Sequence, residues 1–366
     1  MIDSTSAPTC DRSDVQPPRA GFTSPQERRR QLEAALADVL NDATDDTKAE
    51  LRRLSRYEAP PSHIDIPKKK LAAVLVLLHL NPVGQLSVTL TTRSRRLRSH
   101  PGETALPGGK WEEGDGEGGE WTALREAHEE IGLPLPTASS QPSHLLHLTT
   151  LPAFTSRTLL VVIPVVYLLL RPAAEASQRY LPSILQPNPD EVDAVFHLPL
   201  QSFLLLPGCT SGSDDKTVTS DHTGAVAASY RPRTRSSTAS SADSASASAF
   251  PSASSRPRPG TEALSYTYED FVWLLSRPYR LHSFSHPFPG VTPSAVTGLT
   301  ADICIETAVI ARYGAEGRNE RQVGFERYAE GQMEWGEIVE TALGLQGQKG
   351  LGGTVGSGTD QRTSET

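Results

Sequence analysis

The chain has 366 residues, 29 of them proline and 28 glycine. That length could hold two average domains, yet the composition predicts one packed domain with long decorations. Its 35 basic and 43 acidic residues leave a net charge of −8, which excludes bulk attraction to nucleic acid or an anionic membrane and leaves any anionic ligand to a local cationic patch. Cys10, Cys209 and Cys304 are odd in number and far apart, which argues against a disulfide framework or a zinc site and fits free thiols in a reducing compartment.

In chain order, the polar stretch 1–23 lacks the apolar core of a signal peptide and is expected to be disordered. SPQERRRQLEAALADVL then opens with Ser24, Pro25 and Glu27, an N-cap, a first-turn proline and a capping-box glutamate. Leu32, Leu36, Val39 and Leu40 fall on one side of this helix, so an N-terminal helical extension over 24–69 should dock on the domain that follows. AAVLVLLHL at 72–80 and LSVTLTTRS at 86–94, separated by NPVGQ, read as two strands joined by a turn. A Gly-rich loop, a short acidic helix and a Pro-rich linker follow, then candidate strands at HLLHLTTL, TLLVVIPVVYLLL and EVDAVFHLPL. The second of these is the most hydrophobic run, but its 13 residues fall short of the ~18 needed to cross a bilayer, and Pro164 interrupts it. Strand runs alternating with a few helices indicate an α+β sandwich around a mixed sheet rather than a repeating βαβ array.

Between 236 and 256, 10 of 21 residues are serine and 6 are alanine. Such a segment cannot bury enough apolar surface to offset its chain entropy, so 207–261 is expected to be a disordered insertion, open to protein contacts or phosphorylation. Structured sequence resumes with ALSYTYEDFVWLLSRPYRLH and SAVTGLTADICIETAVIARYG. One domain over 70–345 therefore tolerates the insertion, because loop-closure cost grows only logarithmically with length. The Gly-rich stretch 346–366 is expected to be a flexible tail, and its RTSET end is not a peroxisomal address of the Ser-Lys-Leu type. The cytoplasm is the default compartment; a peroxisome or mitochondrion would need a weaker import signal.

LREAHEEIGL, at 124–133, crowds three carboxylates beside an arginine. At ~100° per residue Glu126, Glu129 and Glu130 share one face of a helix, with Leu124, Ala127 and Ile131 roughly opposite. The helix is expected to pack by its apolar side and display the acids on the other, with Gly132 as its stop. Like charges at these spacings repel, so a compensating cation is implied, and clustered oxygen ligands suit Mg²⁺ or Mn²⁺. LPGGKW is not a phosphate-cradling P-loop, since Thr104 and Trp111 stand where the pattern requires glycine and Ser or Thr.

Together, GGKWEEGDGEGGEWTALREAHEEIGL resembles the signature of the Nudix hydrolases, with Glu117, Arg125, Glu126, Glu129, Glu130, Gly132 and Leu133 in the family positions. It departs in two places: seven residues rather than five lie between Gly109 and Glu117, and Ala127 is smaller than the usual aliphatic. The resemblance implies an α/β/α sandwich with a mixed β-sheet and a loop-helix-loop catalytic element. It implies Glu126, Glu129 and Glu130 as metal ligands, Glu117 as an outer or additional ligand, and Arg125 as the residue that orients them. Divalent ions at such a site would neutralise a diphosphate and activate water.

Just upstream, LTTRSRRLRSHPGETALPGG packs Arg93, Arg95, Arg96, Arg98 and His100 into eight residues, a cationic arm where a polyanionic substrate would lie. This stretch resembles a second signature, that of the coenzyme A diphosphatase branch, with Thr89 and Leu106 in place of its usual leucine and phenylalanine. NPDEVDAVFHLPL and VTGLTADIC resemble the later blocks of that branch, with Thr297 where tryptophan is usual. The resemblance implies hydrolysis of coenzyme A, or its acyl or oxidised derivatives, to 3',5'-ADP and 4'-phosphopantetheine. Arg93, Arg98, His100 and the Gly108–Gly109 turn would meet the substrate. Glu103, Glu129 and Glu191 stand as three candidates for the general base. The rival readings are a Nudix pyrophosphatase for nucleoside triphosphates or nucleotide sugars, and a nucleotide-binding regulatory module with a degenerate site. The second is disfavoured by intact carboxylates that a pure binder does not need.

Overall fold

A computed structural model describes residues 24–60, 64–135, 144–170, 184–204, 265–285, 295–318 and 326–351. The expected disordered stretches at 1–23 and 207–261, and the end of the tail from 352 on, lie outside these residues.

The chain builds an eight-stranded mixed sheet from β1 (Leu71–Leu80), β2 (Leu86–Arg93), β3 (Thr104–Ala105), β4 (Gly108–Lys110), β5 (Leu145–Thr150), β6 (Phe154–Thr155), β7 (Val161–Leu169) and β8 (Val192–Pro199). The central path runs β3-β2-β1-β7-β5, with β4 beside β1, β6 beside β7 and β8 beside β2. β1 and β7 are parallel, from Leu71 opposite Val161 to Leu78 opposite Leu168, and the other pairs are antiparallel. The turn between β1 and β2 is set by Asn81, whose side-chain oxygen accepts from the N–H groups of Val83 and Gln85 at 3.0 and 2.9 Å.

β1 is a nearly unbroken apolar run because both its faces are covered. Ala73, Leu75 and Leu77 face one cluster with Val165, Tyr167 and Leu169. Val76, Leu78 and Leu80 face a second cluster with Val166 and Leu168, the alternation that a strand's two-residue period imposes. Helix α3 (Glu120–Ile131) covers the first face with Ala123, Leu124, Ala127 and Ile131. The second face is covered by α1 (Pro25–Ala37), α2 (Asp45–Arg56) and α4 (Gly298–Tyr313). Nearly all of α4 is buried, including both Asp302 and Glu306. This is the expected sandwich around a mixed sheet.

Three features differ from the sequence reading. Helix α1 is capped as expected, Ser24 accepting from the Glu27 N–H at 3.2 Å, but it ends at Ala37, where the Asp38 N–H turns back to the Ala35 carbonyl. Leu40 is therefore buried from the turn after the helix rather than from its face. Helix α2 gave little apolar signal because Leu51 and Leu54 alone carry its hydrophobic contact. The last helix, α5 (Trp335–Leu351), continues past 345, where glycine content had placed the start of a tail; glycine lowers helix stability by ~1 kcal/mol per residue without forbidding the conformation. A separate three-stranded sheet, β9 (Ser265–Val272), β10 (Pro278–Ser285) and β11 (Val296–Thr297), packs beside α4. Among the described residues no helix is long and apolar enough to cross a membrane.

Candidate active site

The acidic helix α3 is bounded by glycines, Gly119 before it and Gly132 after it. Gly132 sits at φ 64 against the next segment, where a β-carbon would come within 2.7 Å of the Gln186 carbonyl oxygen, so the stop that the sequence suggested is also a close contact. Leu124, Ala127 and Ile131 are buried as expected. The acids, however, are not displayed to solvent. The side chains of Glu126, Glu129 and Glu130 are 17, 34 and 9% exposed, because the acidic face lies against the β4 turn.

What lets the helix approach so closely is the absence of side chains in that turn. A β-carbon on Gly109 would stand 2.3 Å from Glu126 Oε1, and one on Gly108 would stand 2.4 Å from the Ala73 carbonyl oxygen. The Gly108 N–H donates to Glu130 Oε2 at 3.2 Å. Burial pushes the Glu130 carboxyl up to about 8, although Arg93 and the Gly108 N–H favour its charged form and Glu126 and Glu191 oppose it. Burial also raises Glu126, with Arg125 pulling the other way and Glu129 adding to the rise.

Arg125 is the hub. It forks onto Asp115, Nε to Oδ1 at 2.9 Å and Nη2 to Oδ2 at 3.0 Å, and also meets Glu129 at 3.0 Å, Glu126 at 3.1 Å and the Lys110 carbonyl at 3.1 Å. Burial works against its charge, but the hydrogen bonds to Asp115 and the charges of Glu126, Asp115 and Glu129 more than offset it and hold the pKa above its usual value. Asp115 is buried too; burial disfavours its charge, yet the bonds from Arg125 and from the Glu112 N–H leave it below the usual carboxylate range. Asp115 was missed in the sequence. Counting five residues on from Gly109 finds it, whereas counting back from Arg125 finds Glu117. Glu117 is exposed on the loop and makes no ion pair or hydrogen bond with a described residue. Glu117 stands two positions after Asp115, an offset equal to the two extra residues of the loop, and the loop closes on Asp115.

Of the cationic arm, Arg93 reaches the acidic face, at 3.8 Å from Glu130 Oε1. Arg96 pairs with Asp190 at 3.0 Å, both exposed, and His100 pairs with Glu103 at 2.9 Å. The Arg95 N–H bonds Asp193 at 3.2 Å. Arg98 is exposed and forms no ion pair with a described residue. The arm is thus less uniformly cationic than its sequence, because acids from the start of β8 and from Glu103 line it. Glu191 acts on Glu130 through its charge, and its carbonyl accepts from the Ser94 N–H at 2.8 Å. Glu129 and Glu191 therefore flank the acidic face, while Glu103 stands on the arm.

Among the described residues no three His, Cys, Asp or Glu side chains converge on one point. The compensating cations that the crowding demanded are here Arg125, on Glu126 and Glu129, and Arg93, on Glu130. Even so, Glu126 and Glu130 are held above the usual carboxylate range by burial, so the face would be stabilised by further positive charge. Its donors are all oxygen, the set a hard divalent ion takes. Glu126, Glu129 and Glu130 are donors of that type on one face, and Glu117 lies exposed on the loop before the helix.

An acidic helix seated on a glycine turn, with its arginine anchored to the intervening loop, belongs to a recognisable class. The NUDIX domain model matches residues 69–216. Nudix hydrolase 15, mitochondrial, of Arabidopsis thaliana is 46% identical over 137 residues, 37% of this chain and 42% of that protein. The peroxisomal coenzyme A diphosphatase ndx-8 of Caenorhabditis elegans is 39% identical over 144 residues, 38% of this chain and 55% of that one. The Nudix hydrolase NudL of Pectobacterium atrosepticum is 36% identical over 151 residues, 41% of this chain and 68% of that one. The chain belongs to the Nudix hydrolase family. It spans about half the length of the first of these relatives, 42 and 55%.

Proposed function

We propose that the protein hydrolyses the diphosphate bond of coenzyme A, or of its acyl or oxidised derivatives, to 3',5'-ADP and 4'-phosphopantetheine, with Mg²⁺ or Mn²⁺ held by Glu126, Glu129 and Glu130. The observation that carries the reading is the meeting of Arg93, at the root of the cationic arm, with the buried Glu130 beside the Gly108 turn. It joins a cationic element to a carboxylate element in one place. The kinship with a protein named as a coenzyme A diphosphatase supports the choice of substrate. A divalent ion, when bound, would neutralise the diphosphate and lower the pKa of a water.

The chain's own residues have separate tasks. Arg125, fixed by Asp115, holds the orientation of Glu126 and Glu129. Arg93, Arg98 and His100 would pair with phosphate oxygens, which demands that His100 leave Glu103. Glu129, at 34% side-chain exposure the most open of the helix acids, and Glu191 are better placed than Glu103 to take a proton at the acidic face. The relatives' names place them in a mitochondrion and a peroxisome and so assign no single compartment.

The test is incubation of the purified protein with coenzyme A, an acyl-coenzyme A, dGTP and ADP-ribose, with metal or with EDTA, and identification of products by mass. The expected result is metal-dependent release of 3',5'-ADP from the coenzymes. Preference for dGTP or ADP-ribose would overturn the substrate and leave the diphosphate chemistry standing.

A further inference from the structure

Away from the acidic helix, one face of the β9–β10 hairpin lines a pocket of about 200 Å³. Its walls follow from strand geometry. Glu269, Phe271 and Trp273 alternate onto one face at the two-residue period, and the register sets Phe271 opposite Tyr279 and Glu269 opposite Leu281. Phe271 and Trp273 both stand edge-on to Tyr279, at 5.3 and 5.1 Å between ring centres, and the Tyr279 hydroxyl is fixed by a hydrogen bond to Asp302. The result is a rigid aromatic wall with two polar groups, Arg157 and Glu269, on the lining.

The pocket's distance from the acidic face can be read from the sheet. Lys110 pairs with Ala72, Ala72 with Val162, and Val162 with Phe154, a row of three strand spacings that measures ~14 Å at ~4.8 Å each. Gly109 precedes the first residue of that row, and Thr155, which lines the pocket, follows the last. A second route agrees: Gly298 and Leu299 line the pocket, and Thr300 next to them donates to the Thr104 carbonyl at 3.4 Å. Thr104 is four residues from Gly108, at most ~14 Å of extended chain.

We infer that this pocket receives the thioester end of an acyl-coenzyme A, its acyl chain on the aromatic wall and its pantetheine amides at Arg157 and Glu269. The inference rests on the proposed substrate reading. An extended covalent chain advances ~1.1–1.2 Å per bond, so the roughly thirteen bonds from the diphosphate to the sulfur of phosphopantetheine reach ~14–16 Å, enough to span the ~14 Å from the glycine turn to the pocket. The cationic arm claims the other end of the molecule, since the phosphates lie on the adenosine side. A volume of about 200 Å³ is below the ~300 Å³ of the smallest whole-ligand sites, so the pocket holds a terminal part of a larger molecule. An amide presents one acceptor and one donor, which match the guanidinium and the carboxylate. At the hairpin tip Leu275 is 57% exposed and held at φ 51, a left-handed conformation that costs a non-glycine residue ~1 kcal/mol and gathers at binding sites. It extends the apolar surface beyond the pocket mouth.

The test has two arms on the full chain. In the first, kcat/KM is compared for octanoyl-coenzyme A and coenzyme A. Wild type should favour the octanoyl ester, and Trp273→Ala should bring the ratio at least five-fold closer to one, with Trp273→Phe restoring most of it. A ratio unchanged in Trp273→Ala overturns the inference. In the second, S-octanoyl-pantetheine, which has no phosphate, is titrated calorimetrically with EDTA present. Binding that Trp273→Ala weakens ten-fold supports the pocket even if no coenzyme A is hydrolysed, in which case the substrate reading alone fails. Hydrolysis of coenzyme A without binding of S-octanoyl-pantetheine leaves the substrate reading intact and removes the pocket from it.

Discussion

Gly109 and Glu126 are in such close contact that a β-carbon on the glycine would lie 2.3 Å from one carboxylate oxygen and 2.7 Å from the other. The glycine turn is therefore a fitted seat for the carboxylate, and the Glu126 side chain cannot keep its place if the seat is filled. Gly109→Ala should displace Glu126, lowering turnover by at least ~100-fold, with a stability cost of ~1–3 kcal/mol, typical of overpacking a close contact. Turnover and thermal unfolding measured together decide it. An alanine variant with near wild-type kcat would mean that Glu126 is not needed where it stands.

Asp115 grips Arg125 through both oxygens, and Arg125 in turn holds Glu126 and Glu129. Replacing one partner of a buried pair strands the other charge, at ~3–5 kcal/mol. Asp115→Asn keeps the shape and one acceptor, so it should fold while loosening the arginine, and kcat should fall ~10- to 100-fold with KM changed far less. Glu117→Gln, on the exposed part of the same loop, should leave both constants within about two-fold, since substitutions on an open surface rarely matter. A larger loss for Glu117→Gln than for Asp115→Asn would reverse the two assignments.

How far this arrangement was legible depends on what each residue contacts. The strands were readable because β1 and β7 are nearly continuous apolar runs and β2 follows a clear turn, and α3 was readable from its glycine stop and its period. The burial of the acids was not, because it comes from a turn distant in sequence, where Gly109 has no side chain to keep Glu126 away and the Gly108 N–H meets Glu130. Asp115 was hidden for a different reason. A loop with two additional residues can be counted from either end, and only the folded loop shows which acid turns inward. The β9–β10 sheet, whose strands mix charged and aromatic residues, is paired across the register in a way that local patterning does not reveal.

Asp302 gives a pH dependence with a definite sign. Burial pushes its carboxyl up to about 7 from an ordinary 3.8, against the hydrogen bond from Tyr279 and the charge of Arg327. Its neighbour His282 is pushed down to about 4 by burial and stays neutral above that pH. A carboxyl whose folded pKa is raised holds its proton more tightly in the folded state, so its contribution to stability is full below about 3.8 and is lost as pH rises through about 7. Asp302→Asn removes this titration while keeping an acceptor for Tyr279. The fall in Tm of the wild type between pH 5 and 8 should be shallower in the variant, with the variant the more stable of the two above pH 7. Parallel curves would show that Asp302 ionises normally.

Arg93 and Arg98 lie five residues apart but in different surroundings, and the proposed substrate separates their roles. Arg93 is partly buried and 3.8 Å from Glu130, so it belongs to the diphosphate and the acidic face. Arg98 is exposed on the arm, where the 3'-phosphate of coenzyme A would arrive. A charge-assisted hydrogen bond contributes ~1.5–3 kcal/mol, which is ~10- to 100-fold in KM. Arg98→Ala should therefore raise KM for coenzyme A about ten-fold or more and leave KM for dephospho-coenzyme A within about two-fold, so that the ratio of their kcat/KM values moves toward one. Arg93→Ala should lower kcat/KM for both by a similar factor, since both carry the diphosphate. If Arg98→Ala weakens both substrates alike, the arm binds the diphosphate rather than the 3'-phosphate, because a residue that meets only the extra phosphate cannot affect a substrate that lacks it.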